Sequence, residues 1–104
     1  MGVKIVYSRE ALDDIKEIYA FIKKGSVKYA KLEVNYIRSF ISKLKHDIYL
    51  GKPFPKAGTS VREVIFRNYR IFYDVLSTSD LLILTIHHHA RSLSNNPAFK
   101  EDDE

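Results

Sequence analysis

Cysteine is absent from this 104-residue chain. Its absence removes disulfides and thiolate zinc sites, and it fits a reducing compartment. Several enzyme signatures are missing too: there is no Gly-rich phosphate loop, no serine-nucleophile elbow and no HExxH helix. No apolar run approaches membrane-spanning length, and "MGVKIVYSRE" lacks the long apolar segment of a signal peptide. These absences predict a cytoplasmic chain with no membrane association, no cofactor and no metal.

What is present is a core and a charge imbalance. The chain is 45% hydrophobic and 29% charged, which fits one packed domain. The net charge is +4, and four of the 13 acidic residues form the tail "EDDE" at 101 to 104. Residues 1 to 100 set 17 basic side chains against the other 9 acidic ones, a net of +8. A basic body favours an anionic partner, either nucleic acid or an acidic protein segment.

Periodicity then divides the chain. "VKIVY" (3 to 7) reads as an edge strand. Ser8 is placed to cap a helix, with Glu10 in its first turn, and Leu12, Ile15, Ile18, Tyr19 and Ile22 recur at helical spacing. Gly25 suits the position after that helix. Ser26 can cap a second one, along which Val27, Ala30, Val34, Ile37, Ile41 and Leu44 recur in steps of three and four. The short connection predicts an antiparallel hairpin with Lys28, Lys31, Arg38, Lys43 and Lys45 on its outer face. "YLGKPFPKAGTS" (49 to 60) reads as a loop.

"VREVIF" (61 to 66), "YRIFYDVL" (69 to 76) and "LLILTIHHH" (81 to 89) read as three strands of an antiparallel meander. They are joined by a tight turn at Arg67-Asn68, where Asn tolerates positive φ, and a second at "STSD" (77 to 80). The predicted architecture is a two-layer α+β domain, β-α-α-β-β-β, with the hairpin on one face of the sheet and nothing on the other. The domain takes residues 1 to 93, and 94 to 104 form an irregular acidic tail.

Three of the four histidines sit together in "LTIHHHARS" (84 to 92). Strand alternation separates them. Leu82, Leu84, Ile86 and His88 share the face assigned to the helices; Thr85, His87 and His89 share the open face. Only two histidines then face one way, too few for a zinc site without further ligands. In the middle strand Arg70, Phe72 and Asp74 fall on the open face, where Arg70 can pair with Asp74 or Glu63. The strand 61 to 66 assigns neither face clearly. If Arg62 lies with Arg70, the open face joins two arginines to two histidines. Guanidinium groups grip phosphates, and imidazoles move protons near neutral pH.

The segments "REALDDIKEIYAFI", "LGKPFP", "VREVIFRNYRIFYDV" and "LLILTIHHHAR", in that order over residues 3 to 92, resemble ParE-like toxins of the RelE/ParE toxin–antitoxin superfamily. The resemblance implies the same helical hairpin on an antiparallel sheet, and a cognate antitoxin whose C-terminal segment wraps the toxin in a hetero-oligomer. It also implies one of two targets. ParE-like members poison DNA gyrase; RelE-like members cut messenger RNA in the ribosome.

Carried over from the RelE-like nucleases, an arginine of the middle strand falls on Arg70, a basic residue of the first meander strand on Arg62, and the basic group ending the last strand near His89 or Arg91. Other nucleases of the superfamily rely on histidines here, so under the nuclease reading the catalytic set is Arg62, Arg70, His87, His89 and Arg91. Val64 stands where those enzymes have a second basic residue, and Asn95 falls near the position of their stacking tyrosine. The roughly 35-residue hairpin resembles ParE more than RelE. The resemblance therefore favours a non-enzymatic gyrase inhibitor over a ribosome-dependent endoribonuclease. An orphan or inactive module that only binds antitoxin is the third reading.

Overall fold

The computed structural model describes residues 2–88. Ser8 starts the first helix as expected: its backbone is extended and its Oγ accepts the Ala11 N–H at 3.0 Å. Helix α1 spans Arg9–Lys23 and buries Ala11, Ile15 and Ile18, with Ile22 partly covered. Leu12, assigned to that stripe by spacing, is 41% exposed; the stripe runs through Ala11 instead. Ser26 caps α2, Val27–Lys43, by accepting the Tyr29 N–H. Ala30, Ile37 and Ile41 face the core as the periodicity required, Val34 lies beside it, and Val27 in the first turn is exposed. A single 3-10 turn, Leu44–His46, carries the stripe on to Leu44.

The strands are β1 (Lys4–Tyr7), β2 (Lys52–Pro53), β3 (Val61–Phe66), β4 (Tyr69–Ser77) and β5 (Asp80–His88), ordered β1-β5-β4-β3-β2 in one sheet. The short strand β2 lies inside the segment read as loop. The meander β3-β4-β5 is antiparallel, whereas the edge strand β1 pairs with β5 in parallel. The sheet is therefore mostly, not wholly, antiparallel. Arg67-Asn68 is the two-residue turn expected, but the positive φ (57°) falls on Arg67. That conformation costs an L-residue roughly 1–2 kcal/mol. Arg67 is held there by Glu33 of α2 at 3.2 Å and by the Tyr36 ring 5.0 Å away.

Both helices pack on one face, over Tyr69, Ile71 and Tyr73 of β4 and Leu81, Ile83 and Ile86 of β5. Strict alternation misassigned the first half of β5. Phe72 pairs with Thr85 and Tyr73 with Ile83, so Leu84 is an extra residue in the ladder. This β-bulge shifts the phase by one. Leu81 and Ile83, not Leu82 and Leu84, face the helices before it; Ile86 and His88 face them after it, as predicted.

Helix α1 holds the bulge from both sides. The Ser8 N–H donates to Ile83 O at 2.9 Å, and Ser8 Oγ donates to Leu84 O at 2.8 Å. One Asp14 carboxylate oxygen accepts the Ile86 N–H at 2.8 Å and the Thr85 hydroxyl at 2.6 Å. Thr85, opposite Phe72 and so on the open face as expected, nevertheless gives its hydroxyl to α1.

Removing the Asp14 carboxylate strands the Ile86 N–H, at a cost of about 1–3 kcal/mol. Asp14→Ala should therefore lower the urea-unfolding free energy by that amount. Leu12→Ala, two residues away and outside the buried stripe, should stay within about 0.5 kcal/mol of the parent. Equal losses would show that the bulge clamp contributes nothing specific.

Candidate functional site

The register decides which polar side chains meet. Residues directly opposite in an antiparallel pair project to the same face. Arg62 is opposite Tyr73, and Val64 is opposite Ile71, so Arg62 belongs to the helix-side face. Glu63 is opposite Phe72 and Ile65 opposite Arg70, so Glu63 and Arg70 share the other. His87 is opposite Arg70 on β5 and lies on that face as well. The two arginines of the expected site are on opposite sides of the sheet.

The segment from Tyr49 to Gly51 engages Arg62. Its guanidinium donates to Gly51 O at 2.5 Å and lies 4.8 Å from the Tyr49 ring centroid. The Tyr73 hydroxyl completes the brace: it accepts the Gly51 N–H and donates to Ile48 O, both at 2.9 Å. Gly51 is pressed so close that an added Cβ would meet Glu63 O at 2.8 Å and the Tyr73 ring at 3.0 Å. Arg62 here orders a chain reversal, which explains a basic residue in β3 without any substrate.

On the open face Arg70 Nε donates to Glu63 Oε2 at 2.5 Å. Glu63 is only 7% exposed, and Arg70 is half-buried. Phe72, opposite Glu63, is equally buried and has the Arg70 guanidinium 5.4 Å from its ring centroid. The Phe54 ring from the 54–60 segment packs edge-on against it at 5.0 Å. The open face is thus partly covered by the chain's own loop, contrary to the expectation of a bare sheet. His87 is exposed, with its ring 5.5 Å from Phe72. Arg70, one imidazole and a buried carboxylate can bind a polar partner. The carboxylate already neutralises the guanidinium, so this face is a weak phosphate grip.

His88 lies on the helix side, as alternation predicted. Its ring stacks on Tyr69 at 4.8 Å and meets Phe21 edge-on at 5.7 Å. The Tyr69 hydroxyl donates to Glu33 at 3.0 Å. Burial, reinforced by the Glu33 carboxylate, holds the Tyr69 phenol well above the usual tyrosine range. Burial also raises Tyr73, offset in part by the Gly51 N–H and Arg62, and raises Tyr7, which lies under the Arg38 guanidinium. His89 and Arg91, and the Asn95 position, lie outside the described residues. Among the described residues no group of three potential metal ligands comes together, and no helix is long and apolar enough to cross a membrane.

Sequence reasoning missed two carboxylates that each accept two hydrogen bonds, Asp14 and Glu33. Asp14 follows Ala11 by three residues, at the edge of the buried α1 stripe. An acid in that position was the available signal for a buried hydrogen bond.

A two-helix hairpin on a five-stranded, mostly antiparallel sheet is the architecture that the resemblance to ParE-like toxins implied. Residues 5–93 match the family described as ParE toxin of type II toxin-antitoxin system, parDE, and the chain belongs to that family. Two solved structures share the fold. One is the chromosomal ParDE toxin–antitoxin system from P. aeruginosa, 19% identical with a TM-score of 0.69, covering 83% of this chain and 95% of that one. The other is the toxin–antitoxin complex RelBE2 from Mycobacterium tuberculosis, 17% identical with a TM-score of 0.58, covering 85% and 99%. No curated protein matches by sequence.

Two measurements test this geometry. Gly51→Ala should destabilise the fold by roughly 1–3 kcal/mol in urea unfolding, because the clash is with the backbone of β3. A loss no larger than that of an exposed Gly→Ala change would contradict the close approach. The raised phenols have a pH signature. Their folded pKa lies above the unfolded value of 10.0, so their contribution is complete below pH 10 and is lost as pH rises beyond it. Phenolate absorbance should show a late-titrating group, which Tyr69→Phe reduces by one phenol. A Tyr69→Phe titration unchanged at its alkaline end would refute the assignment.

Proposed function

We propose that this toxin acts by binding DNA gyrase in the cytoplasm, and that a cognate antitoxin holds it inactive in a hetero-oligomer. The observation that supports a binding role over ribonuclease chemistry is the separation of Arg62 from Arg70. A phosphoryl-transfer site needs its cations converging on one scissile group. Here Arg62 braces the Tyr49–Gly51 segment on the helix side, and Arg70 is neutralised by Glu63 on the other. Val64, where RelE-like nucleases have a second basic residue, is in the core. Membership in the ParE family and the two toxin–antitoxin complexes of like fold support the antitoxin as partner. An acidic amphipathic antitoxin segment fits the lysine-bearing hairpin, or, by strand addition, the outer side of β1, which pairs only with β5 among the described residues.

The ribonuclease alternative retains Arg70 and His87, with His89 and Arg91 as further members. The two readings separate in one induction experiment. Expression without antitoxin should arrest growth with transcripts intact, and purified toxin should inhibit gyrase supercoiling at micromolar concentration. Transcript cleavage abolished by His87→Ala, with supercoiling unaffected, would establish the nuclease instead. Harmless expression with no effect in either assay would leave only antitoxin binding.

A further inference from the structure

Between β1 and the C-terminal half of α2 lies a cleft of about 230 Å³, lined by Val3, Ile5, Tyr7, Ile41, Ser42 and Lys45. Strand alternation sends Val3, Ile5 and Tyr7 to the helix side, where they pack at the edge of the core. With Ile41 they make the apolar part of the cleft. The Arg38 guanidinium lies over the Tyr7 ring, 4.8 Å from its centroid. Arg38 and Ser42 are one turn apart on α2, and Lys45 follows in the 3-10 turn. The cleft therefore joins three aliphatic side chains to two hydroxyls and two cations.

Among the described residues, the side chains of Arg38, Ser42, Lys45 and Tyr7 have no hydrogen-bond partner and no ion pair. Arg62, Arg67 and Arg70, by contrast, each donate to an oxygen of the fold. The contact of Arg38 with the Tyr7 ring is electrostatic and gives its five N–H groups no oxygen to bond. Burial raises the Tyr7 phenol, so it stays protonated and able to donate at neutral pH. Lys43 and Lys45 both suit the negative end of the α2 dipole, but of the two only Lys45 borders the cleft. Charges of one sign beside an apolar wall focus their field into the cleft between them.

We propose that this cleft binds a small carboxylate with a branched aliphatic body. The carboxylate accepts from Arg38, Ser42 and Lys45, and the aliphatic body covers Val3, Ile5 and Ile41. At about 30 Å³ for each water-sized group, the volume holds roughly eight non-hydrogen atoms, the size of a branched six-carbon acid. It falls below the roughly 300–1,000 Å³ of sites for larger ligands, so a nucleotide does not fit. A bare phosphate would answer the cations and leave the aliphatic side chains in water. This site requires neither the gyrase nor the ribonuclease reading.

Isocaproate is the probe, added to the isotope-labelled full chain at low salt. It should shift the methyl signals of Val3, Ile5 and Ile41 and the amide signals of Ser42 and Lys45 saturably, with a dissociation constant on the order of 1 mM. Isohexanol, the same body without the charge, should bind roughly fivefold more weakly, and inorganic phosphate should not saturate. Salt at about 1 M should weaken the acid and not the alcohol. Arg38→Gln combined with Lys45→Gln should lower isocaproate to the alcohol's affinity and leave the alcohol unchanged. Lys16→Gln combined with Lys56→Gln should change neither, and unaltered signals in β3 and β4 would show that each variant keeps the fold. Equal affinity for acid and alcohol, phosphate binding as tight as the acid's, shifts centred on Arg70 and His87, or no saturation by isocaproate would each overturn the proposal. So would an acidic strand peptide that shifts the β1 amides where isocaproate does not bind, which would make the cleft part of a strand-addition surface.

Discussion

The contact between α1 and the bulge of β5 sets the geometry of everything around it. An extra residue at Leu84 leaves backbone groups without ladder partners, and buried orphans of this kind are costly. Ser8 and Asp14 satisfy them from one helix, taking Ile83 O, Leu84 O and the Ile86 N–H. Ser8 is also the α1 cap, so the residue that starts the helix fixes where the helix meets the strand. That single docking point sets the phase of the last strand. Before it Leu81 and Ile83 enter the core; after it Ile86 and His88 do. Without the bulge, His87 would turn inward and His88 outward.

Most of the fold was legible because its signals are local. Helix caps, the α2 stripe, the two short turns and the β4 alternation depend on near neighbours in sequence, and the structure places them as read. Leu12 and Val27, exposed despite their spacing, are local misreadings; the larger failures share one cause, a partner distant in sequence. The phase of β5 follows from Asp14, 72 residues from Ile86. The positive φ sits on Arg67 rather than Asn68 because Glu33 and Tyr36 hold the arginine, and no dipeptide rule contains them. The side of Arg62 follows from its register against Tyr73, and β3 alone reads equally well either way.

The candidate site shows the same division. Arg70 and His87 were placed on one face by alternation, and they are opposite each other there. Arg62 was joined to them through a family pattern, and a pattern transmits residue type but not local employment. Here the guanidinium is held by Gly51 O and the Tyr49 ring, next to a glycine with no room for a Cβ. A side chain with its donors committed to the backbone holds a loop and is poorly placed to grip a moving phosphate.

Charge and apolar exposure are unevenly distributed along the hairpin, and the strands beneath it explain why. Over β4 and β5, α1 and α2 bury Ala11, Ile15, Ile18, Ala30, Ile37 and Ile41 and turn their lysines outward. Toward the connection between the helices Phe21, which still meets the His88 ring edge-on, and Tyr29 are 43% and 66% exposed. The apolar periodicity of α2 begins at Val27, yet Val27 is exposed and the buried stripe begins at Ala30. Periodicity sets which side of a helix is apolar; the strands it crosses set where burial starts and stops.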